Sequence, residues 1–168
     1  MDVQEQVTAS ALRAKYAGQG MSEAELSTLE ANISVKIPPI YRTLLRLVGN
    51  NPYAIAALVG SGWNGRDLLN PIETIQQATL ELLDRNGAFE HFPEDGFVLL
   101  MHQGYSFLYI EAGKGDDSPV FTGEETDEPF RPPRVCQETL HTMMMEIAPE
   151  LWAEATQLHQ LERLNQRP

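Results

Sequence analysis

The sequence predicts a single-domain α+β protein, a twisted, antiparallel-rich sheet wrapped by helices. Three observations carry that reading. Helix-spaced apolar residues occupy both ends of the chain, from Val3 to Val48 and again from Leu140 onward. Between them, Phe97 to Thr122 holds three short runs rich in Phe, Tyr, Val and Ile, separated by turn residues. The 168-residue length, with 42% hydrophobic and 21% charged residues, suits one core. A chain of this size buries roughly 70% of the surface its unfolded form exposes.

Val3, Val7, Leu12 and Tyr16 lie loosely on one helical face, predicting a helix from about Asp2 to Gly18 or Gly20. Ser22 and Glu25 then form an S-x-x-E capping box, with Met21 and Leu26 at the hydrophobic-staple positions, so a second helix starts at Ser22. Its stripe of Leu26, Leu29 and Ile33 breaks at Val35 to Pro39. The pattern resumes with Tyr41, Leu44, Leu45 and Val48 behind a first-turn proline. Gly49 is expected to end that helix in the left-handed conformation, before Asn50-Asn51-Pro52 turns the chain.

Tyr53 to Val59 is ambiguous between a short helix and a buried strand, and Gly60 to Gly65 reads as a flexible connection holding Trp63. Asn70-Pro71 supplies a cap and first-turn proline for a helix carrying Ile72, Ile75, Thr79, Leu82 and Leu83, with Asn86-Gly87 at its exit. Phe97 to Met101, Tyr105 to Ile110 and Val120 to Thr122 then read as an antiparallel meander. Its middle strand is apolar on both faces, and Phe107 is expected opposite Tyr105 and Tyr109. The helices are expected to pack one side of this sheet.

Gly123 to Pro133 reads as an acidic, proline-bearing link. Leu140, Met143, Met144 and Ile147 mark a helix interrupted at Pro149, and Leu151, Trp152, Ala155, Leu158 and Leu161 mark a last one. The expected organisation is an N-terminal helical extension over 1–21, an α+β domain over 22–151, and a C-terminal helix over 152–168 packing on that domain.

With 24 acidic and 12 basic side chains the formal charge is −12. Such a surface repels nucleic-acid phosphates and anionic lipids, which disfavours direct binding to either. The lone Cys136 cannot form an intramolecular disulfide, which favours a reducing compartment. Met1 to Ser10 lacks the basic and apolar regions of a secretory signal. The longest apolar run, Tyr53 to Val59, falls far short of the ~20 residues a spanning helix needs. The expected location is cytoplasmic.

Motifs of catalysis are weak. Gly60-Ser61-Gly62-Trp63-Asn64-Gly65 matches G-x-G-x-x-G, but Arg66 to Leu69 separate it from the helix that a pyrophosphate site would need at once. Glu138 and His141 have E-x-x-H spacing without a second such helix or a further ligand motif. Ser61 lacks a nucleophile elbow, and Cys136 has no activating neighbour in sequence. Met143 to Met145 reads as core plus one exposed residue rather than a binding groove. No catalytic residue, cofactor or metal is assigned, and a non-enzyme is expected.

The segment Asp116, Asp117, Glu124, Glu125, Asp127 and Glu128, bounded by Arg131 and Arg134, reads either as a solvated loop or as a docking surface for a basic protein. Trp63 and Tyr105 are candidate apolar anchors if exposed, Trp63 having the alternative of plugging the core edge.

Taken in order, several stretches resemble the SUKH superfamily, which contains a fungal cell-wall synthesis regulator and many bacterial immunity proteins. They are the helix with Glu25 and Glu30, Val35-Lys36-Ile37-Pro38 with Tyr41, Leu44-Leu45, the Gly49-Asn50 exit and Asp67-Leu68-Leu69 before a helix. The most specific is Met101-His102-Gln103-Gly104-Tyr105 with Phe107, Tyr109 and Asp117-Ser118-Pro119-Val120. The likeness runs from about Ser22 to Leu151. It departs at the missing Gly-Gly-Asp turn and over Gly123 to Pro133. The resemblance implies a twisted sheet wrapped by helices and a protein-binding role without a cofactor. The function expected is an immunity protein that neutralises a basic toxin domain, plausibly a nuclease, encoded nearby. The alternative is a regulatory scaffold that binds a cellular protein.

Overall fold

The computed structural model describes residues 3–58, 62–63, 72–125 and 131–165. Four antiparallel strands form one sheet in sequential order: β1 (Gly96–His102), β2 (Ser106–Glu111), β3 (Val120–Glu124) and β4 (Arg131–Gln137). The α-helices among the described residues are α1 (Val3–Lys15), α2 (Glu23–Ile33), α3 (Pro39–Val48), α4 (Ile72–Arg85), α5 (Leu140–Ile147) and α6 (Pro149–Asn165). The chain is a single α+β domain.

The start of α2 is fixed locally. Ser22 Oγ accepts the Glu25 amide at 3.3 Å, and the Glu25 carboxylate accepts the Ser22 amide at 2.8 Å, which satisfies two donors that a helix start leaves free. Gly49, by contrast, is right-handed (φ −63°, ψ −13°), not left-handed. Its lack of a side chain serves packing: a Cβ there would stand 2.8 Å from Met21 Cγ. At Gly20 a Cβ would stand 1.6 Å from the Arg46 carbonyl oxygen. The α1–α2 connection thus presses on the last turn of α3, and the Met21 amide donates to the Leu45 carbonyl at 2.9 Å.

Helices pack both faces of the sheet, not one. On the first face Phe97, Leu99, Ile110 and Val120 join Leu44, Leu45, Met144 and Trp152. On the second, Val98, Met101, Phe107 and Tyr109 join Ile75, Leu82 and Leu83 of α4. Phe107 and Tyr109 therefore share a face, with ring centroids 5.9 Å apart, against the expected opposition. Residues two apart on a strand point the same way. Tyr105 lies before β2, in a turn whose central residues, Gln103 (φ 49°) and Gly104 (φ 78°), carry the positive φ values of a tight hairpin.

β4 replaces part of the expected link. Pro132 and Pro133 mask it in the sequence, yet prolines are tolerated at a sheet edge, where an outward amide needs no partner. The other edge is closed differently. Gln76, buried on α4, donates from Nε2 to the Gly96 carbonyl at 2.8 Å and accepts the Val98 amide at Oε1, 3.0 Å away. Its amide occupies two of the backbone groups that a fifth strand would use.

Tyr53 to Val59 yields a 3-10 turn at Ala56–Leu58 beside buried Ile55. The turn at Gly113 to Asp117 becomes part of a 3-10 segment, Ala112–Asp117, broken by Gly115 at φ 60°. Asn70-Pro71, Asp67-Leu68-Leu69, Asp127 and Glu128 lie outside the described residues.

Candidate functional site

Charge divides the molecule. The stretches bearing α1, α2, α3 and α6 (3–48 and 149–165) hold seven acidic and six basic side chains, near balance. The stretches bearing α4, the sheet and α5 (72–125 and 131–147) hold thirteen acidic and four basic ones.

On the helical side opposite charges alternate in a chain. Lys36 meets Glu30 at 3.2 Å, Glu30 meets Arg42 at 2.9 Å, and Arg42 meets Glu23 at 2.7 Å. Glu23 meets Arg46 at 3.3 Å, Arg46 meets Glu162, and Glu162 meets Arg13 at 2.8 Å. The Arg42 hydrogen bond holds the Glu23 carboxyl below the usual range. For Glu30 burial pushes the other way, and the Lys36 contact, the Ile37 amide and the Arg42 charge outweigh it. These cations are paired with carboxylates, leaving the negative excess on the sheet side.

The six acidic residues adjacent in sequence do not form one patch. Asp117 ends the 3-10 segment before β3, while Glu124 ends β3 itself. The five-residue strand alone separates the two ends by about 13 Å, at about 3.3 Å per residue. Asp117 and Glu124 are exposed. Glu125 is engaged: Arg85 reaches its carboxylate at 3.0 Å and Asn86 at 3.0 Å, and both contacts lower its pKa. Its amide donates to the Tyr105 carbonyl at 2.8 Å. The structure thus brings Glu124, Glu125 and Tyr105 together at the β1–β2 hairpin end and leaves Asp117 at the other. The Asp116 side chain, Asp127 and Glu128 lie outside the described residues. Arg134 stands in register with Thr122, away from the α4 face.

Of the two aromatic candidates, Tyr105 is 38% exposed and stacks edge-on with His102 at 5.8 Å. Trp63 is 0% exposed, and its carbonyl accepts the buried Tyr41 hydroxyl at 2.6 Å. An anchor must reach a partner, so Trp63 takes its alternative role at the core.

The chemical candidates separate as well. His141 Nδ1 accepts the Trp152 indole N–H at 2.9 Å, giving that nitrogen a structural partner. Among the described residues no three His, Cys, Asp or Glu side chains converge as a metal site would require. Burial raises the Cys136 thiol, disfavouring its thiolate. Met143 and Met144 are buried and Met145 is exposed. No described helix is long and apolar enough to cross a membrane.

A family model described as SMI1 / KNR4 family (SUKH-1) matches residues 20–140, most of the chain. The chain belongs to the SMI1 / KNR4 (SUKH-1) family. No curated protein and no solved structure matches it significantly. The SUKH-1 match opens at the glycine that contacts α3 and closes at Leu140, the first residue of α5, so α1 and α6 lie outside it. Membership in the SUKH-1 family is consistent with a protein-binding or immunity-type module, in a family that is generally non-catalytic.

Sequence reasoning missed the division of charge and the open flank of the sheet around Phe121 and Val135. The first was countable from the sequence once stretches were compared. The second depended on finding β4.

Proposed function

We propose that this chain is an immunity-type protein that binds a basic toxin domain, with a nuclease as the class of target, and blocks it. The observation that carries the reading is the division of charge within a SUKH-1 fold. A nuclease cleft must attract phosphate and therefore presents lysine and arginine; a surface dense in carboxylates competes for that field. Charge of this kind chiefly raises the rate of encounter and rejects acidic partners.

The test co-expresses the chain with the product of the adjacent gene and scores survival. Reversal to lysine at Glu90 and Glu94, or at Asp117 and Glu124, is expected to weaken protection. The matched reversal at Glu5 and Glu150 on the helical side is expected to leave it intact. Full protection by both sheet-side variants removes acidic attraction from the mechanism. A harmless neighbour and capture of an acidic or neutral cellular protein instead support the scaffold reading.

A further inference from the structure

The sheet face that packs on α4 is covered over part of its width. α4 lies along β1, tied by Gln76 and by Ile75, Leu82 and Leu83. The return segment from Asn86 to Asp95 lies over β2, where the Phe92 ring stands 4.8 Å from Tyr109 and 6.2 Å from Phe107. Beyond it, Phe121 of β3 stacks on Tyr109 at 5.1 Å with an interplanar angle of 18°. Val135 of β4 is the register partner of Phe121. A row thus runs outward across the strands, through Tyr109 and Phe121 to Val135, and burial falls along it. Tyr109 is buried, Phe121 half-buried, and Val135 56% exposed. Among the described residues, the core on this face stops at Phe121. The 3-10 turn Phe89–His91 of the return segment leaves Phe89 48% exposed.

Charge decides what such a surface accepts. The bordering α4 and return segment carry Glu73, Glu81, Asp84, Glu90, Glu94 and Asp95. Their one arginine, Arg85, is held by Glu125. A second copy would set like charge against like, and Pro132-Pro133 on β4 deny an outward amide to an added strand. A cationic protein surface with an apolar ridge meets neither obstacle.

We propose that the open flank centred on Phe121 and Val135, together with exposed Phe89 on the return segment, is where a basic protein partner seats an apolar ridge between lysine or arginine side chains. This rests on the basic-partner reading above and adds the location. Exposed carboxylates hasten the encounter, while the desolvated apolar centre lengthens the stay.

Two peptides of equal positive charge test it by calorimetry at low salt, an amphipathic helix of leucine and lysine and a lysine peptide without leucine. The amphipathic peptide is expected to bind the full chain more tightly. Val135→Asn with Phe89→Asn should lower its affinity about tenfold, toward that of the lysine peptide, while Val7→Asn, 57% exposed on α1, leaves it unchanged. Val135→Asn alone is scored if the double variant melts early. Equal affinity of all variants for the amphipathic peptide overturns the location and spares the basic-partner reading. Failure of both peptides to bind removes both. A concentration-dependent dimer of the free chain that Val135→Asn abolishes overturns the proposal in favour of a second copy.

Discussion

The indole N–H of wholly buried Trp152 donates to Nδ1 of exposed His141 at 2.9 Å, across the break between α5 and α6. A surface side chain thus satisfies an interior donor. His141→Leu leaves that donor unpaired and is expected to cost about 1–3 kcal/mol. His141→Gln, which retains an acceptor, is expected to cost less. Urea unfolding followed by tryptophan fluorescence separates the two; equal losses would assign the effect to packing.

Gln76 offers a second test. It makes two buried hydrogen bonds to the outer edge of β1. Gln76→Leu keeps most of the volume and loses both. We expect a loss of about 2–4 kcal/mol in urea, with new exchange of the Val98 amide by hydrogen–deuterium NMR. Protection of that amide in the variant would show that another group covers the edge.

Phe107 and Gly123 are coupled across β2 and β3. They are register partners, and a Cβ on Gly123 would stand 2.4 Å from the Phe107 ring. Phe107→Ala is expected to cost about 3–5 kcal/mol, and Gly123→Ala about 1–3 kcal/mol by overpacking. The combined variant should lose less than the two separate costs together, because the smaller side chain makes room for the new methyl. Strict additivity in chemical denaturation would contradict the contact.

Acid should uncouple the helical side. Glu23 and Glu30 have folded pKa values below the ordinary 4.5. A depressed carboxyl contributes stability that is present above its unfolded value and lost as pH falls through the folded one. The stability gap between the wild type and Glu23→Gln/Glu30→Gln is therefore expected to hold steady from pH 7 to about 5 and to shrink as pH drops further. Urea midpoints across that range measure it. A gap that widens on acidification would reverse the assignment.

What the sequence made legible was local. The Ser22–Glu25 box lies within one helical turn, and the Asn86-Gly87 exit declares itself through Gly87 at φ 60°. The meander is legible for its first three strands because Phe, Tyr and Val alternate with short turns. β4 is hidden because Pro132 and Pro133 signal a break wherever a sheet edge does not excuse them. The Arg13–Glu162 and Arg46–Glu162 contacts join residues 149 and 116 positions apart, a relationship no window along the chain displays. The acidic candidates mislead for the converse reason. Nearness in sequence suggests one patch, and an intervening strand carries its ends apart. Trp63 follows its neighbours poorly, since glycines around it suggest exposure while its indole fills the interior.

The Gln76 amide has one more consequence, for polymerisation. A fibre built by strand addition requires two free edges per copy, one to accept and one to offer, so that each new subunit regenerates the end it consumed. Among the described residues β4 is one edge of this sheet, and the other, β1, is blunted at Gly96 and Val98 by a side chain. Pairing through β4 therefore leaves each copy only a blunted edge to offer to the next, which works against extension beyond two copies. A side chain thus does at β1 what the prolines do at β4, making each edge a poorer template for an added strand.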